Sequence, residues 1–356
     1  MGIKTRNFAN NILSGGTIDG TDFLSGTLPS SNITNDSAAS VTSIPSISNV
    51  VSTVAGDPPS PTLGDIWYNS STNALKFQGF QSAAWSTGGS LSQGRWWGYQ
   101  NGAGEQTAGI VFGGIEEGLS GYRSDTESYD GSSWTTVNPL NTARQAAGAG
   151  GSFTSALIAG GQPSTTASES WDGTSWTNTP SLGTPRGYMG GACESETAGV
   201  VFGGLPPPTG LGNTELYNGV SWSETNDLNT VRRSIGGAGT STAGLCPGGY
   251  TTTAIANTES WDGTSWTNEN NQISAGGGAT FGTVTSAVLS QGQPTQLWDG
   301  TSWASGVSKS SPVSNGAALG TSTAGLVAGG EPPNNGVTTV EEYVGAGAIT
   351  KTFTTD

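Results

Sequence analysis

Apolar residues along most of the chain come in runs of three to five, each closed by glycine and separated from the next by polar turns. The runs are GIVFGG (109–114), ALIAGG (156–161), GVVFGG (199–204), GLCPGG (244–249), AVLSQG (287–292) and GLVAGG (325–330). Runs this short, bounded by Gly, Asn, Asp and Pro, predict buried strands. No long window places apolar residues at i, i+3, i+4 and i+7, so no amphipathic helix is expected.

Downstream of each run stands Glu or Gln, any residue, then Tyr or Trp. The pairs are Glu127/Tyr129, Glu169/Trp171, Glu215/Tyr217, Glu259/Trp261, Gln296/Trp298 and Glu341/Tyr343. A spacing of two puts both side chains on one face of a strand. The aromatics are 42, 46, 44, 37 and 45 residues apart. After the first five comes Asp-Gly or Asn-Gly, the strongest short hairpin signal, and then Ser-Trp, at Trp134, Trp176, Trp222, Trp266 and Trp303. Each unit therefore reads as four strands: a Gly/Ala-rich one such as 146–152, the run ending in glycines, the Glu-x-aromatic strand, and a strand opening on Ser-Trp. Six such units in phase are the signature of propeller blades.

These residues resemble the kelch family of β-propellers. The segment TESYDGSSWTTVNPLNTARQAAGAG (126–150) has the family's order of Gly-Gly, aromatic-Asp, tryptophan and Leu-x-x-x-Arg, and the resemblance spans roughly 91–356. The aromatic-to-Trp spacing of five is shorter than the family's, and the last unit has VGAGAITKTF where the others have Asp-Gly-x-Ser-Trp. Two segments could supply the strand missing there: 348–354, or the chain before Arg95. The fold expected is all-β: a six-bladed kelch-like β-propeller (91–356) preceded by an extended N-terminal arm (1–60) and a small β-hairpin module (61–90).

Arg95, Arg144, Arg186 and Arg232 recur at the start of the units. They could form an anion-binding ring. Repetition in every unit is what packing demands, so hydrogen bonds to a neighbouring carbonyl or to the recurrent Glu are the favoured expectation.

The first 60 residues are polar, with apolar positions too sparse for a core. Phe8, Ile12, Leu13, Phe23 and Leu24, with Ile18, Leu28 and Ile33, are candidates for plugging pockets on a partner. Asp57-Pro58-Pro59-Ser60-Pro61 reads as a stiff hinge. In GDIWYNSSTNALKFQGFQSAAW (64–85) the stretch Asn69–Asn73 reads as a turn between two strands. That segment looks like one common in tailed-phage fibres, of the form GD-x-WY-N, a turn, L-K and a closing tryptophan. The preceding GTIDGTDFLSGTLPSSNIT is similar to the stalk sequence of such fibres.

Composition removes several function classes. The net charge is −15, with 11 Lys and Arg scattered along the chain, which argues against a nucleic-acid surface. Residues 1–30 lack the apolar core of a signal peptide, and no stretch has the ~20 apolar residues of a membrane span, so no membrane insertion is expected. Cys193 and Cys246 have no motif spacing and read as small buried residues.

There is no histidine, which removes the usual general base and every Ser-His or Cys-His nucleophile pair. Copper oxidases built on kelch-like propellers use His ligands, which this chain does not have. Glu116-Glu117 and Glu341-Glu342 are carboxylate pairs, but neighbours in a strand point to opposite faces. The Asp-Gly turns lack the alternating ligands of a calcium loop. No enzyme activity, metal or cofactor is expected.

The phage resemblance implies a virion structural protein, a tail fibre or tail-associated receptor-binding protein. Its arm would contact other virion proteins, and its disc would meet a host-surface glycan or protein. Stalk-like arms of this kind pair as homo-oligomers, often trimers. A capsid decoration or collar protein and a cellular kelch-type scaffold are the alternatives. The connections between second and third strands differ most among units, and rigid scaffolds carry recognition on such loops. Glu116, Tyr122, Arg123, Tyr250 and Asn334 lie in them and are the candidates for contacting a glycan.

Overall fold

The computed structural model describes residues 51–96, 100–115, 121–205, 210–331 and 337–352. Positions 1–50, which hold every anchoring candidate of the arm, lie outside them, as do Glu116 and Asn334. The described chain is all-β, with 28 strands in seven four-stranded sheets and no helix. It divides into two compact units, 1–82 with 347–356, and 83–346.

The smaller unit is built on the hairpin Ile66–Asn69 and Ala74–Gln81. Its turn forms because the Asn69 carboxamide oxygen accepts from the amides of Ser71 (3.0 Å) and Thr72 (3.1 Å), while Asn73 takes a positive φ of 52°. Val51–Val54 adds in parallel to the first hairpin strand, and Gly347–Thr352 adds antiparallel to the second. Trp67 is buried in this sheet together with the polar Asn69 and Gln78. Asp57, expected in a stiff hinge, is clamped by its side chain: it accepts from Lys76 Nζ (2.8 Å), Asn69 Nδ2 (2.7 Å) and Trp67 Nε1 (3.1 Å). Those donors, Lys76 first, hold its carboxyl down to about 2.

The larger unit carries the other six sheets, one per repeat. The second is representative: Gly148–Ser152, Ser155–Ala159, Ser168–Trp171 and Trp176–Thr179 form an antiparallel meander. The third strand alternates as its pattern requires, with Glu169 and Trp171 buried on one face. Between third and fourth strands, Gly173 sits at φ 92°, which glycine adopts without a Cβ penalty. The Asp172 carboxylate closes that turn by accepting from Thr174 N and Ser175 N, both at 2.8 Å.

The sixth sheet resolves the seam. It consists of Ala317–Thr321, Ala324–Ala328, Val340–Val344 and, from far earlier in the chain, Ala84–Thr87, with Tyr343 opposite Trp85. The chain before Arg95 thus supplies the missing strand, and Ala348 onward pairs in the smaller unit. Residues 83–90, expected with the hairpin module, belong to the larger unit.

The six first strands pack on one another in succession, and the sixth sheet's packs on the first sheet's. Glycine makes this approach possible. A Cβ on Gly236 would lie 2.4 Å from the Gly278 carbonyl oxygen, and one on Gly102 would lie 2.9 Å from that of Ala318. Gln100, buried at the start of the first sheet, spans to two others, accepting from Gly191 N and donating to Gly237 O.

Each interval between neighbouring sheets has its own apolar filling. Ile110 and Phe112 meet Ala156, Ile158 and Trp176 between the first two sheets. Leu319, Leu326 and Val340 meet Val111 and Tyr129 between the sixth and the first. Ile110, Val111, Phe112, Leu157 and Ile158 are fully buried, each contributing about 1.5–3 kcal/mol. The Ser-Trp tryptophans fix the spacing: Trp176 Nε1 donates to Thr126 Oγ1 (3.0 Å), Trp266 to Thr214 (2.9 Å) and Trp303 to Thr258 (2.9 Å), always in the preceding sheet.

Candidate ligand-binding face

The recurrent arginines are structural. Arg144, fully buried, donates to the carbonyls of Gly160 (3.1 Å) and Ala167 (2.6 Å) and to Glu169 Oε1 (2.6 Å). Glu169 also accepts from the amides of Asn141 (2.7 Å) and Thr142 (3.1 Å), so one carboxylate holds the segment entering the first strand. Arg95–Glu127, Arg186–Glu215 and Arg232–Glu259 repeat the arrangement. Burial pulls the guanidinium pKa of Arg95, Arg144 and Arg186 down from the ordinary value, and the paired glutamate pulls it back. With both partners buried, no charge is left over for an anion. The fifth repeat keeps the geometry without charge, Gln296 Oε1 accepting from Ile273 N (2.7 Å).

The loops that join second and third strands meet the segments entering the first strands at one end of the sheets. Paired bridges stitch them: Trp96 with Ile115, Gln145 with Gln162, Gly187 with Leu205, Arg233 with Tyr250 and Ser314 with Glu331. Residues two beyond the recurrent arginine, Ala146, Tyr188 and Ser234, have positive φ of 51–55°. Tyr188 N donates to Ala146 O and Ser234 N to Tyr188 O, both at 2.7 Å, which links three successive sheets at this end.

Tyr122 and Arg123 lie together. They line an open groove of about 530 Å³ with Ser92, Gln93, Asp125 and Thr136. Tyr122 is 37% exposed. Arg123 is committed to Asp125: its Nε donates to Oδ2 at 2.6 Å, and the two are ion-paired. Tyr250 stands apart in the fourth sheet, 36% exposed, with the Arg233 guanidinium 5.9 Å from its ring centroid. Burial pushes the Tyr188 hydroxyl pKa up, Tyr122 adds to the rise, and Arg233 opposes it.

Of the glycan-contact candidates, the structure thus places Tyr122, Arg123 and Tyr250 on one end of the unit, with Tyr122 and Arg123 in a groove and Tyr250 over an arginine. Sequence reasoning missed Tyr188 and Arg233. A signal existed, because Arg232-Arg233 is a doublet in which only the first arginine has counterparts in other repeats.

Among the described residues, no cluster of three or more Cys, Asp or Glu could hold a metal ion, and no helix is long and apolar enough to cross a membrane. Both cysteines are buried and unpaired. Burial pushes the Cys246 thiol up to about 12 and that of Cys193 higher still. No protein-family model matches the chain, and no curated protein matches it.

Proposed function

We propose that this chain is a virion structural protein of a tailed bacteriophage, a tail fibre or tail-associated receptor-binding protein whose larger unit is a six-bladed, kelch-like β-propeller. Six four-stranded sheets, each packing through its first strand on the next and the sixth on the first, support the propeller reading. An N-terminal strand completing the last sheet locks such a ring, because the two ends of the repeat array then share one set of ladder bonds. The phage assignment rests on the sequence resemblance of 64–85 and of the stalk-like arm. The arm joins other virion proteins, and the disc meets the host surface.

The observation that carries recognition is the loop end of the sheets, where exposed Tyr122 lines a groove of about 530 Å³ and exposed Tyr250 stands apart from it with Arg233 over its ring. Aromatic faces flanked by planar polar groups suit sugar rings, and loops on a rigid scaffold can vary without disturbing strands. The test is location. Virions labelled with antibodies against 83–346 are expected to carry label at the tail. Label spread over the head would instead assign the chain to capsid decoration, and particles without label would remove the virion reading.

A further inference from the structure

What repeats in every sheet is explained by packing, so a functional residue is sought among those that do not repeat. The bridge positions give an aligned set. After the recurrent arginine come Trp96, Gln145, Gly187 and Arg233, and after Val313 in the sixth sheet comes Ser314; opposite them stand Ile115, Gln162, Leu205, Tyr250 and Glu331. Only the fourth sheet pairs a cation with an aromatic ring. The pairing is built into the backbone, since Arg233 N donates to Tyr250 O (3.0 Å) and Tyr250 N donates to Arg233 O (2.9 Å). The guanidinium lies over the ring at 5.9 Å, within the range of a cation–π contact.

Charge sets this arginine apart as well. Among the described residues of the larger unit, Arg95, Arg123, Arg144, Arg186, Arg232 and Lys309 each have an acidic partner. Among the described residues Arg233 has none. It is half-buried. A guanidinium stacked on a ring keeps its N–H edge free for a planar anion.

We propose that Arg233, with Tyr250, binds the acidic group of a saccharide, a carboxylate or a phosphate. The sugar ring lies against tyrosine and the anion meets the guanidinium edge. This deepens the glycan-binding reading above and rests on it.

The experiment measures binding of the full chain to three immobilised oligosaccharides: one bearing glucuronate, its carboxyl-reduced neutral counterpart, and one bearing glycerol phosphate. The wild type is expected to prefer one or both acidic saccharides over the neutral one by about tenfold or more, and added salt should weaken that preference. Which acidic arm is preferred assigns carboxylate or phosphate. Arg233→Gln should abolish the preference, while Arg233→Lys should retain part of it. Unchanged thermal unfolding of the variants excludes misfolding as the cause. Equal binding of the neutral saccharide, or a preference that survives Arg233→Gln, overturns the inference and leaves the glycan reading standing. Binding to none of the three overturns both.

Discussion

A buried carboxylate such as that of Glu169 is tolerated because every lone pair facing inward has a donor: the Arg144 guanidinium and the amides of Asn141 and Thr142. Removing it leaves a fully buried arginine uncompensated. Glu169→Ala is therefore expected to cost about 3–5 kcal/mol, read as a fall in thermal unfolding temperature or denaturant midpoint. Glu169→Gln should cost less, because Gln296 fills the same place in the fifth sheet and still accepts from the entering segment. Asn101 is the opposite case. Both polar atoms of its side chain are buried without a partner, where the corresponding residue of the second sheet, opposite Ala159, is Gly148. The residue scale thus separates recurrent side chains that hold the frame from single departures such as Asn101 and Arg233.

At the scale of elements, most of the larger unit was legible in the sequence. Period-two alternation placed Glu169 and Trp171 on one buried face, and Asp172-Gly173 marked the hairpin that the positive φ of Gly173 confirms. The seam was not legible. Ala84–Thr87 reads as the end of a hairpin module, and only pairing across 250 or more residues reveals it as the partner of Val340–Val344. Local pattern carries no information about such closure. Nor did it show Asp57 clamped by Trp67, Asn69 and Lys76, because a lone Asp before two prolines looks like any linker. At the loop end of the sheets, Tyr122 and Tyr250 were recognisable as loop aromatics. Tyr188 and Arg233 were not, because they sit inside the repeat. The strand has a consequence of its own: a chain beginning at Gly88 leaves the ladder groups of Val340–Val344 unpaired. It is expected to unfold at lower temperature and to associate in a concentration-dependent manner, as measured by light scattering.

For the whole molecule, the same arithmetic repeats from sheet to sheet: one buried ion pair or its amide substitute, one Asp-Gly or Asn-Gly turn in five repeats, and one tryptophan reaching back to the previous sheet. This uniformity stiffens the larger unit and leaves variation to the loop end, where the exposed tyrosines stand. The proposed setting, a phage particle, rests on sequence resemblance, and the proposed working surface rests on the geometry of the loop end. The most direct test is competition for the host: purified full-length protein is added to susceptible cells before phage, and adsorption is counted. The account predicts that wild-type protein blocks adsorption, and that Tyr122→Ala/Tyr250→Ala, folded to the same melting temperature, does not. Protein that leaves adsorption unchanged, or a double variant that blocks as well as the wild type, would contradict it.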